Sequence, residues 1–178
     1  MMNIIKEKIN EYSNNGLTDK STYHSYDTIY PRIMEKFLGK NNNILEIGTG
    51  NGGGLMILSE SFPESTVYGL DHNYSILKIE TVGTNIKLLK ETDQNDENFI
   101  NEIPMLDLVV EDASHDYNKS IKTFEMVIGK LNPGAIYIIE DVYPQYIENY
   151  NNDGRFEVHD LRKNKDRGDD IIAVYKHK

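Results

Sequence analysis

Residues 43–54, NILEIGTGNGGG, constrain the fold of this chain more than any other part of its sequence. An apolar run at residues 44–47 leads into a glycine-rich stretch at residues 48–54, and a second apolar run follows at residues 55–58. This order is typical of a buried strand, a tight turn and a helix. Because glycine tolerates positive φ and has no side chain, a ligand can lie against the turn, where free N–H groups favour polar or anionic atoms.

The glycine spacing leaves several interpretations open. Gly48, Gly50 and Gly53 match the G-x-G-x-x-G fingerprint of dinucleotide-binding proteins, but a strand-to-helix turn without a ligand has the same pattern. Glu46 precedes the first glycine in the form E-x-G-x-G, and Asp71 follows the second predicted strand. An acid at that place is also expected of a dehydrogenase, so Asp71 alone does not discriminate. A dehydrogenase usually adds a substrate domain, for which 178 residues leave little chain.

Composition predicts a single acidic domain. The length of 178 residues fits one domain, and a hydrophobic content of 38% is enough for one core. The formal net charge of −10, without a run of Lys or Arg, argues against nucleic acid or an anionic membrane as a partner. The chain has no cysteine, which excludes disulfides and Cys-ligated metals. No apolar stretch approaches about 18 residues, so we expect a soluble, cytoplasmic protein.

Alternating strand and helix patterns predict an α/β fold with a parallel sheet. Strands are predicted at residues 44–47, 66–70, 86–89, 106–110 and 135–139, followed by a hairpin at residues 155–161 and 171–175 that closes one sheet edge. Helices are predicted at residues 1–14, 29–37, 54–62, 74–82, 96–103, 121–131 and 143–150. Ligands of such sheets bind outside the carboxyl ends of the strands, where five acids of this chain fall. These acids are Asp71, Asp93, Asp112, Glu140 and Asp141.

Three of these acids predict a cation site. Neighbouring strands lie about 4.8 Å apart, so Asp112, Glu140 and Asp141 converge if the fourth and fifth strands are adjacent. Carboxylates that close repel one another unless they are protonated or hold a cation, and oxygen ligands suit Mg²⁺ or a similar hard divalent ion. Residues 140 and 141 point to opposite faces of a regular strand, so both can bind one ion only where the chain turns. Helix capping by Asp112, with the other acids as solvated loop charges, is the alternative.

The acidic glycine motif and the acid after the second strand resemble those of class I S-adenosylmethionine-dependent methyltransferases. Within that class, VVEDASHDY at residues 109–117 and PGAIYIIEDV at residues 133–142 resemble the metal-dependent sugar O-methyltransferases of the macrocin and mycinamicin type. T-D-K at residues 18–20, followed by H-x-Y at residues 24–26, also resembles this group. The resemblance extends from about Leu17 onward. It implies a single-domain Rossmann-like fold with a seven-stranded, mostly parallel sheet, an antiparallel last strand and helices on both faces.

The resemblance also implies an activity and a set of site residues. It implies an O-methyltransferase that uses S-adenosylmethionine and Mg²⁺ to methylate a hydroxyl of a sugar or nucleotide sugar. The implied metal ligands are Asp112, Glu140 and Asp141, and the implied catalytic residues are His115, as general base, and Asp112. The candidate cofactor-binding residues are His24, Tyr26, Glu46, Gly48, Gly50, Asn51, Asp71, His72, Asp93, Gln94 and Asp112. Residues 1–40 are expected to form a helical segment that packs over the cofactor site, and residues 41–178 the methyltransferase core.

Other functions and roles remain open at this point. Catechol-type methylation uses the same cofactor and ion, and Tyr143 and Tyr146 are suitable aromatic walls for it. A non-catalytic S-adenosylmethionine-binding subunit is the alternative from another class. His24 and Tyr26 are explained equally by helix packing, and His115 by helix capping. We expect a small-molecule acceptor, no nucleic-acid or membrane partner, and a homo-oligomer as one option.

Overall fold

The computed structural model describes residues 3–178, which form one seven-stranded sheet. The strands are β1 (Asn43–Ile47), β2 (Thr66–Leu70), β3 (Ile86–Leu88), β4 (Leu106–Glu111), β5 (Leu131–Ile139), β6 (Phe156–Asp160) and β7 (Ile171–Lys176). They lie in the order β3-β2-β1-β4-β5-β7-β6. Neighbours among β1 to β5 pair in parallel, whereas β7 is antiparallel to both β5 and β6. The predicted mostly parallel sheet with an antiparallel last strand is confirmed.

Helices cover both faces of this sheet, as predicted. They are α1 (Ile4–Asn14), α2 (Tyr30–Met34), α3 (Gly53–Ser61), α4 (Tyr117–Val127) and α5 (Ile147–Asp153). α1 begins after Asn3, whose side chain accepts a hydrogen bond from the Ile5 amide at 3.0 Å. The first two residues of the helix predicted at 1–14, Met1 and Met2, lie outside the described residues. None of the described helices combines the length and the apolar character that crossing a bilayer requires.

Two hydrophobic cores lie on opposite sides of the sheet because successive strand residues point to opposite faces. Ile44 of β1 packs with α1, α2 and α3 in one core, which also contains Ile5 and Leu55. Leu45 of β1 faces the other core, together with Phe124 of α4. Burial on both faces is what a parallel sheet requires, and it explains why β1 is buried at every position after Asn43.

The prediction of a helix at residues 74–82 is wrong. The segment forms one short 3₁₀ turn, Tyr74–Ile76, after which Leu77 is extended and the following residues are irregular. Its backbone is fixed by the glycine loop, since the Lys78 amide donates to Asn51 O at 3.0 Å. Leu77 and Ile79 both contact the Cα side of Gly52. Leu77 and Ile79 therefore cover the loop from an irregular segment, and the helical spacing was misleading.

Four further predicted helices differ in extent. The α-helix predicted at residues 29–37 is limited to Tyr30–Met34, and the one predicted at residues 143–150 lies at Ile147–Asp153. The helix predicted at residues 96–103 is a 3₁₀ turn, Glu97–Asn101, capped by the Asp96 side chain. The helix predicted at residues 121–131 begins earlier, at Tyr117, because the Asp116 side chain caps it by accepting from the Lys119 amide at 3.1 Å. The segments capped by Asp96 and Asp116 both start directly after the aspartate. Capping residues therefore predicted where these segments begin better than the apolar spacing did.

The loop between β6 and β7 holds the segment that follows α1. Lys165 Nζ donates to the carbonyl oxygen of His24 at 2.6 Å. Asp170 is completely buried, and its Oδ1 accepts from the Ser25 amide at 2.8 Å. The two regions are far apart in sequence but form one wall beside the carboxyl ends of the strands. This wall positions residues 17–26 over the carboxyl ends of the strands, where ligands are expected.

Candidate active site

A pocket of about 840 Å³ opens at the carboxyl ends of β1, β2 and β4. Its volume is within the range of small-molecule sites. The predicted cofactor-binding residues that line it are Glu46, Gly48, Gly50, Asn51, Asp71, His72, Asp93, Gln94 and Asp112. Residues 16–20 form the opposite wall. His24 and Tyr26 are not part of its lining.

The glycine loop is shaped by close contacts that exclude side chains. Gly48 has φ +87°, and a Cβ at this position would lie 2.2 Å from the carbonyl oxygen of Asp112. A Cβ at Gly54 would lie 1.8 Å from Glu46 Oε1. These glycines are therefore required by the approach of β4 and of a buried acid, respectively. Their small size leaves the backbone of the loop open to the pocket.

Asp71 fastens the glycine loop to the end of β2. Its Oδ2 accepts hydrogen bonds from the amides of Thr49 at 2.9 Å and Gly50 at 3.1 Å. Its Oδ1 accepts from the Asn73 amide at 3.1 Å and lies 3.0 Å from Nδ1 of the exposed His72. The carboxylate thus orders the loop and lies on the pocket wall at the same time.

Glu46 is a buried acid on the wall of the pocket. Its Oε2 has no hydrogen-bond partner within residues 3–178. Burial raises the pKa of Glu46 to about 8, and Asp112 adds to this effect while Lys20 opposes it. A buried carboxyl oxygen without a partner fits a cationic ligand group, such as the ammonium of an amino acid.

Asp93 and Gln94 lie side by side on the pocket wall but differ in orientation. The exposed Asp93 accepts from the Asn95 amide at 2.9 Å. Gln94 is buried, and its Nε2 donates to Glu111 Oε1 at 3.2 Å and to Thr123 Oγ1 at 3.0 Å. Gln94 therefore anchors this loop to α4.

Asp112, His115 and Asp141 converge at the ends of β4 and β5. One ligating atom of each residue lies within 4.8 Å of the others. Asp141 has φ +52° and His115 has φ +55°, in the left-handed region that non-glycine residues rarely adopt. The chain turns directly after β5, which directs Asp141 toward β4. Such strain often accompanies functional sites.

Glu140 does not join this group of three. It is 1% exposed, and its two carboxylate oxygens accept from Tyr30 Oη and Lys20 Nζ. The reason is the alternation anticipated from the sequence, because residues 140 and 141 leave the strand on opposite sides. Of the three predicted metal ligands, the structure brings Asp112 and Asp141 together and assigns Glu140 to a buried ion pair.

Lys20 is a site residue to which sequence reasoning gave no role. Its Nζ donates to Asp112 Oδ2 at 2.8 Å and to Glu140, and the residue is only 3% exposed. Burial lowers the pKa of Lys20, but Asp112 and Glu140 outweigh burial and raise the pKa well above its usual range. The available signal was the lysine of T-D-K at residues 18–20. Its partners, however, are about a hundred residues away in sequence.

His24 and Tyr26 support the acids and not the pocket wall. Tyr26 Oη donates to Asp141 Oδ1 and accepts from the Asp141 amide at 3.1 Å. The His24 ring stacks on Tyr26 at 4.9 Å, with its Nδ1 3.6 Å from Asp141 Oδ1. Burial lowers the pKa of His24, but Asp19 and Asp141 outweigh burial and raise it. These two residues fix the conformation of Asp141.

The electrostatics of the acid group fit a divalent cation. Burial raises the pKa of Asp141 to about 6, and repulsion from Asp112 adds to the shift while His24 opposes it. A cation between Asp112 and Asp141 would relieve this repulsion, and their oxygen atoms are the donors that Mg²⁺ prefers.

Comparison with curated proteins agrees with this geometry. No family model matches the chain. It is 29% identical over 158 residues to mycinamicin VI 2''-O-methyltransferase of Micromonospora griseorubida, covering 79% of this chain and 37% of that protein. It is 28% identical over 162 residues to demethylmacrocin O-methyltransferase of Streptomyces fradiae, covering 83% of this chain and 40% of that protein. The chain thus spans less than half the length of these relatives.

Solved structures show the same relationship. MycE methyltransferase in complex with Mg, SAH and mycinamycin VI is 27% identical, with a TM-score of 0.66 over 78% of this chain and 38% of that one. MycE with Mg and SAH in crystal form 1 is 23% identical, with a TM-score of 0.73 over 94% of this chain and 54% of that one. The chain therefore has the fold of the class I S-adenosylmethionine-dependent methyltransferases, and its resemblance to the macrocin- and mycinamicin-type sugar O-methyltransferases is confirmed.

Proposed function

We propose that this protein is a Mg²⁺-assisted, S-adenosylmethionine-dependent O-methyltransferase that acts on a hydroxyl of a sugar or nucleotide sugar. The observation that carries the proposal is the convergence of Asp112, His115 and Asp141 beside the glycine-loop pocket. The similarity to MycE, which was solved with Mg and SAH, supports it.

The pocket offers one polar group for each part of the cofactor. The free Oε2 of Glu46 is suited to the ammonium group, and Asp71 to the ribose hydroxyls. Asp93 and Gln94 occupy the far wall, where the adenine would lie. Residues 1–40 would close the site as a helical segment, since residues 16–20 line the pocket. S-adenosylmethionine supplies the methyl group as a sulfonium, so the protein has only to position it.

The acids would hold the cation. Asp112 and Asp141 present oxygen atoms to a common point, and Glu140 would become a third ligand only by leaving Lys20. A bound divalent cation stabilises negative charge on the acceptor oxygen. Tyr26 keeps Asp141 directed at this point through two hydrogen bonds.

In this proposal His115 is the general base. Its Nδ1 is buried and has no hydrogen-bond partner in the described part of the chain, and its ring lies next to both acids. The neutral imidazole would take the proton of the acceptor hydroxyl as the oxygen attacks the methyl carbon. The nearby carboxylates Asp112 and Asp141 stabilise the imidazolium that results.

Tyr143 provides an aromatic surface that also suits a second class of acceptor, the catechols. Its side chain is exposed, and its ring centroid lies 6.3 Å from that of His115 in an edge-on arrangement. A sugar ring or a flat catechol could stack on such a surface. We favour the sugar because a further relative, 26% identical over 165 residues, is named 8-demethyl-8-alpha-L-rhamnosyl tetracenomycin-C 2'-O-methyltransferase, after a rhamnosylated compound.

The purified protein tests this proposal directly. It would be incubated with S-adenosylmethionine and either nucleotide sugars, glycosylated macrolides or catechols, and products would be identified by mass spectrometry. We expect a methylated sugar with Mg²⁺, none after chelation, and a higher Mg²⁺ requirement in Asp112→Asn. Full activity in chelator would show that the acids are not metal ligands. S-adenosylhomocysteine binding without turnover on any acceptor would favour a non-catalytic subunit.

A further inference from the structure

We propose that Lys20 is an internal cation of the acid site, which consists of Asp112, Glu140 and Asp141. Its ammonium stabilises the metal-free protein and lowers the affinity of the acid site for a divalent ion. This inference rests on the metal in the proposed function. It assigns a task to the ammonium of a residue that lines the pocket but has no part in the proton transfer to His115.

The contacts of Lys20 are those expected of an ion that bridges two strands. Its Nζ donates to Asp112 Oδ2 at 2.8 Å, at the end of β4, and to Glu140, directly after β5. The Lys20 side chain is 4% exposed and that of Glu140 is 1% exposed. Lysine is almost never so deeply buried unless it is paired. The ammonium therefore neutralises negative charge on Asp112 and Glu140 that would otherwise oppose folding at the carboxyl ends of β4 and β5.

The same contacts obstruct the coordination of a metal. The other Glu140 oxygen is bound to Tyr30, so both oxygens of this acid are occupied. One oxygen of Asp112 is also engaged by Lys20. An ion that uses these atoms has to displace the ammonium, and an ion that uses Asp112 and Asp141 alone has to bind beside a positive charge. Both routes weaken binding.

Lys20 cannot leave the site easily because its backbone is fixed. Its carbonyl oxygen accepts from the Tyr26 amide at 3.0 Å. The following turn is held by Lys165, which donates to the carbonyl oxygen of His24 at 2.6 Å. The ammonium is therefore an intramolecular competitor with a high effective concentration. A lysine that only oriented the acids for the metal would have the opposite effect on metal affinity.

Calorimetric titration with Mg²⁺ separates these two roles. We expect Lys20→Met to bind Mg²⁺ at least about tenfold more tightly than wild type, because a nearby positive charge is lost. Lys165→Met is the matched control, since it removes a lysine that holds the same turn through backbone carbonyls. Its Mg²⁺ affinity should stay close to that of wild type. Equal or weaker binding by Lys20→Met would overturn the inference.

Thermal unfolding provides a readout that does not depend on turnover. In chelator, Lys20→Met should unfold at a lower temperature than wild type, and saturating Mg²⁺ should narrow the difference. If Lys20→Met and Lys20→Gln fold only with Mg²⁺, the inference is supported, and if neither folds with Mg²⁺ it is overturned. Absence of Mg²⁺ binding by both wild type and variant would overturn it together with the metal in the proposed function. Equal Mg²⁺ affinity of wild type and Lys20→Met would overturn the inference but leave the metal in the proposed function intact.

Discussion

Single residues of the acid site are held in place by their backbone. Asp141 and His115 both have positive φ, which costs about 1–3 kcal/mol for a non-glycine residue. Tyr26 compensates at Asp141, where it bonds both the carboxylate and the amide. The position of the Asp141 side chain is thus fixed before any ligand binds, as the proposed role of a metal ligand requires.

Replacement of His115 by Ala tests the role of the base. We expect kcat to fall by about 10²–10⁴-fold, because general-base help is felt in the transition state. The affinity for S-adenosylhomocysteine, measured by calorimetry, should change little. His177→Ala, near the end of β7, should keep wild-type kinetics. A near-native kcat for His115→Ala would transfer the role to another group, with Asp116 as the next candidate.

Replacement of Asp71 by Ala tests the cofactor pocket. The variant loses a carboxylate on the pocket wall and frees the amides of Thr49 and Gly50. We expect S-adenosylhomocysteine to bind more weakly by about 1–3 kcal/mol in calorimetry. Asp160→Ala, at the end of β6, is the control and should bind as wild type does. Unchanged affinity of Asp71→Ala, or binding of NADH instead, would contradict the assignment.

The loops after β1 and β4 act as one structural unit. The Asp112 amide donates to Ile47 O at 2.7 Å, and the Asp112 carbonyl oxygen lies 2.2 Å from the position that a Cβ of Gly48 would take. The end of β1 therefore packs directly against the residue that carries a proposed metal ligand. The glycine loop and the proposed metal site are therefore linked through a backbone contact.

Gly48→Ala tests this linkage, and Gly83→Ala is its control. Both glycines have positive φ, +87° and +83°, but only Gly48 has backbone atoms within contact distance of an added Cβ. We expect Gly48→Ala to reduce the free energy of unfolding by clearly more than Gly83→Ala, which should cost about 1–2 kcal/mol from its backbone conformation alone. Urea denaturation measures both. Equal losses of unfolding free energy in the two variants would show that the backbone after β4 moves aside without an energetic penalty.

The sequence predicted elements well where periodicity and burial agree. All seven strands were found, because runs of apolar or alternating residues between turn residues leave a clear pattern in the sequence. The acids at the strand ends followed from that pattern. Residues 74–82 were misjudged because Leu77 and Ile79 cover the glycine loop, a tertiary contact that local spacing does not encode. Lys20 was missed for the same reason, since only folding brings it to Asp112.

The whole molecule combines a net charge of −10 with buried acids at one edge of its sheet. Burial raises the pKa of Glu46 to about 8, above its ordinary value of 4.5. A carboxyl group whose pKa is higher in the folded state contributes stability below its unfolded pKa, and this contribution is lost as the pH rises through the folded value. Stability of the ligand-free protein is therefore linked to pH through this pocket.

Glu46→Gln isolates this linkage. Relative to the variant, the wild-type protein should lose at least about 1 kcal/mol of unfolding free energy between about pH 5 and pH 8.5, because the variant has no ionisable group to bury. Urea denaturation at both pH values, without cofactor, gives the difference. The exposed Glu64→Gln should follow the wild-type profile. A constant difference between wild type and Glu46→Gln would contradict the prediction.

The position of β7 has a consequence for how the chain is made. β7 is the last strand in sequence but lies inside the sheet, between β5 and β6. Until it inserts, β5 presents an unpaired apolar edge, and the Val142 amide lacks its bond to Ile171 O at 3.0 Å. During translation this edge waits for a strand that emerges from the ribosome after it. The turn that carries Asp141 therefore gains this bond only after β7 has been made, and until then the open edge of β5 is where a nascent chain would pair with another copy.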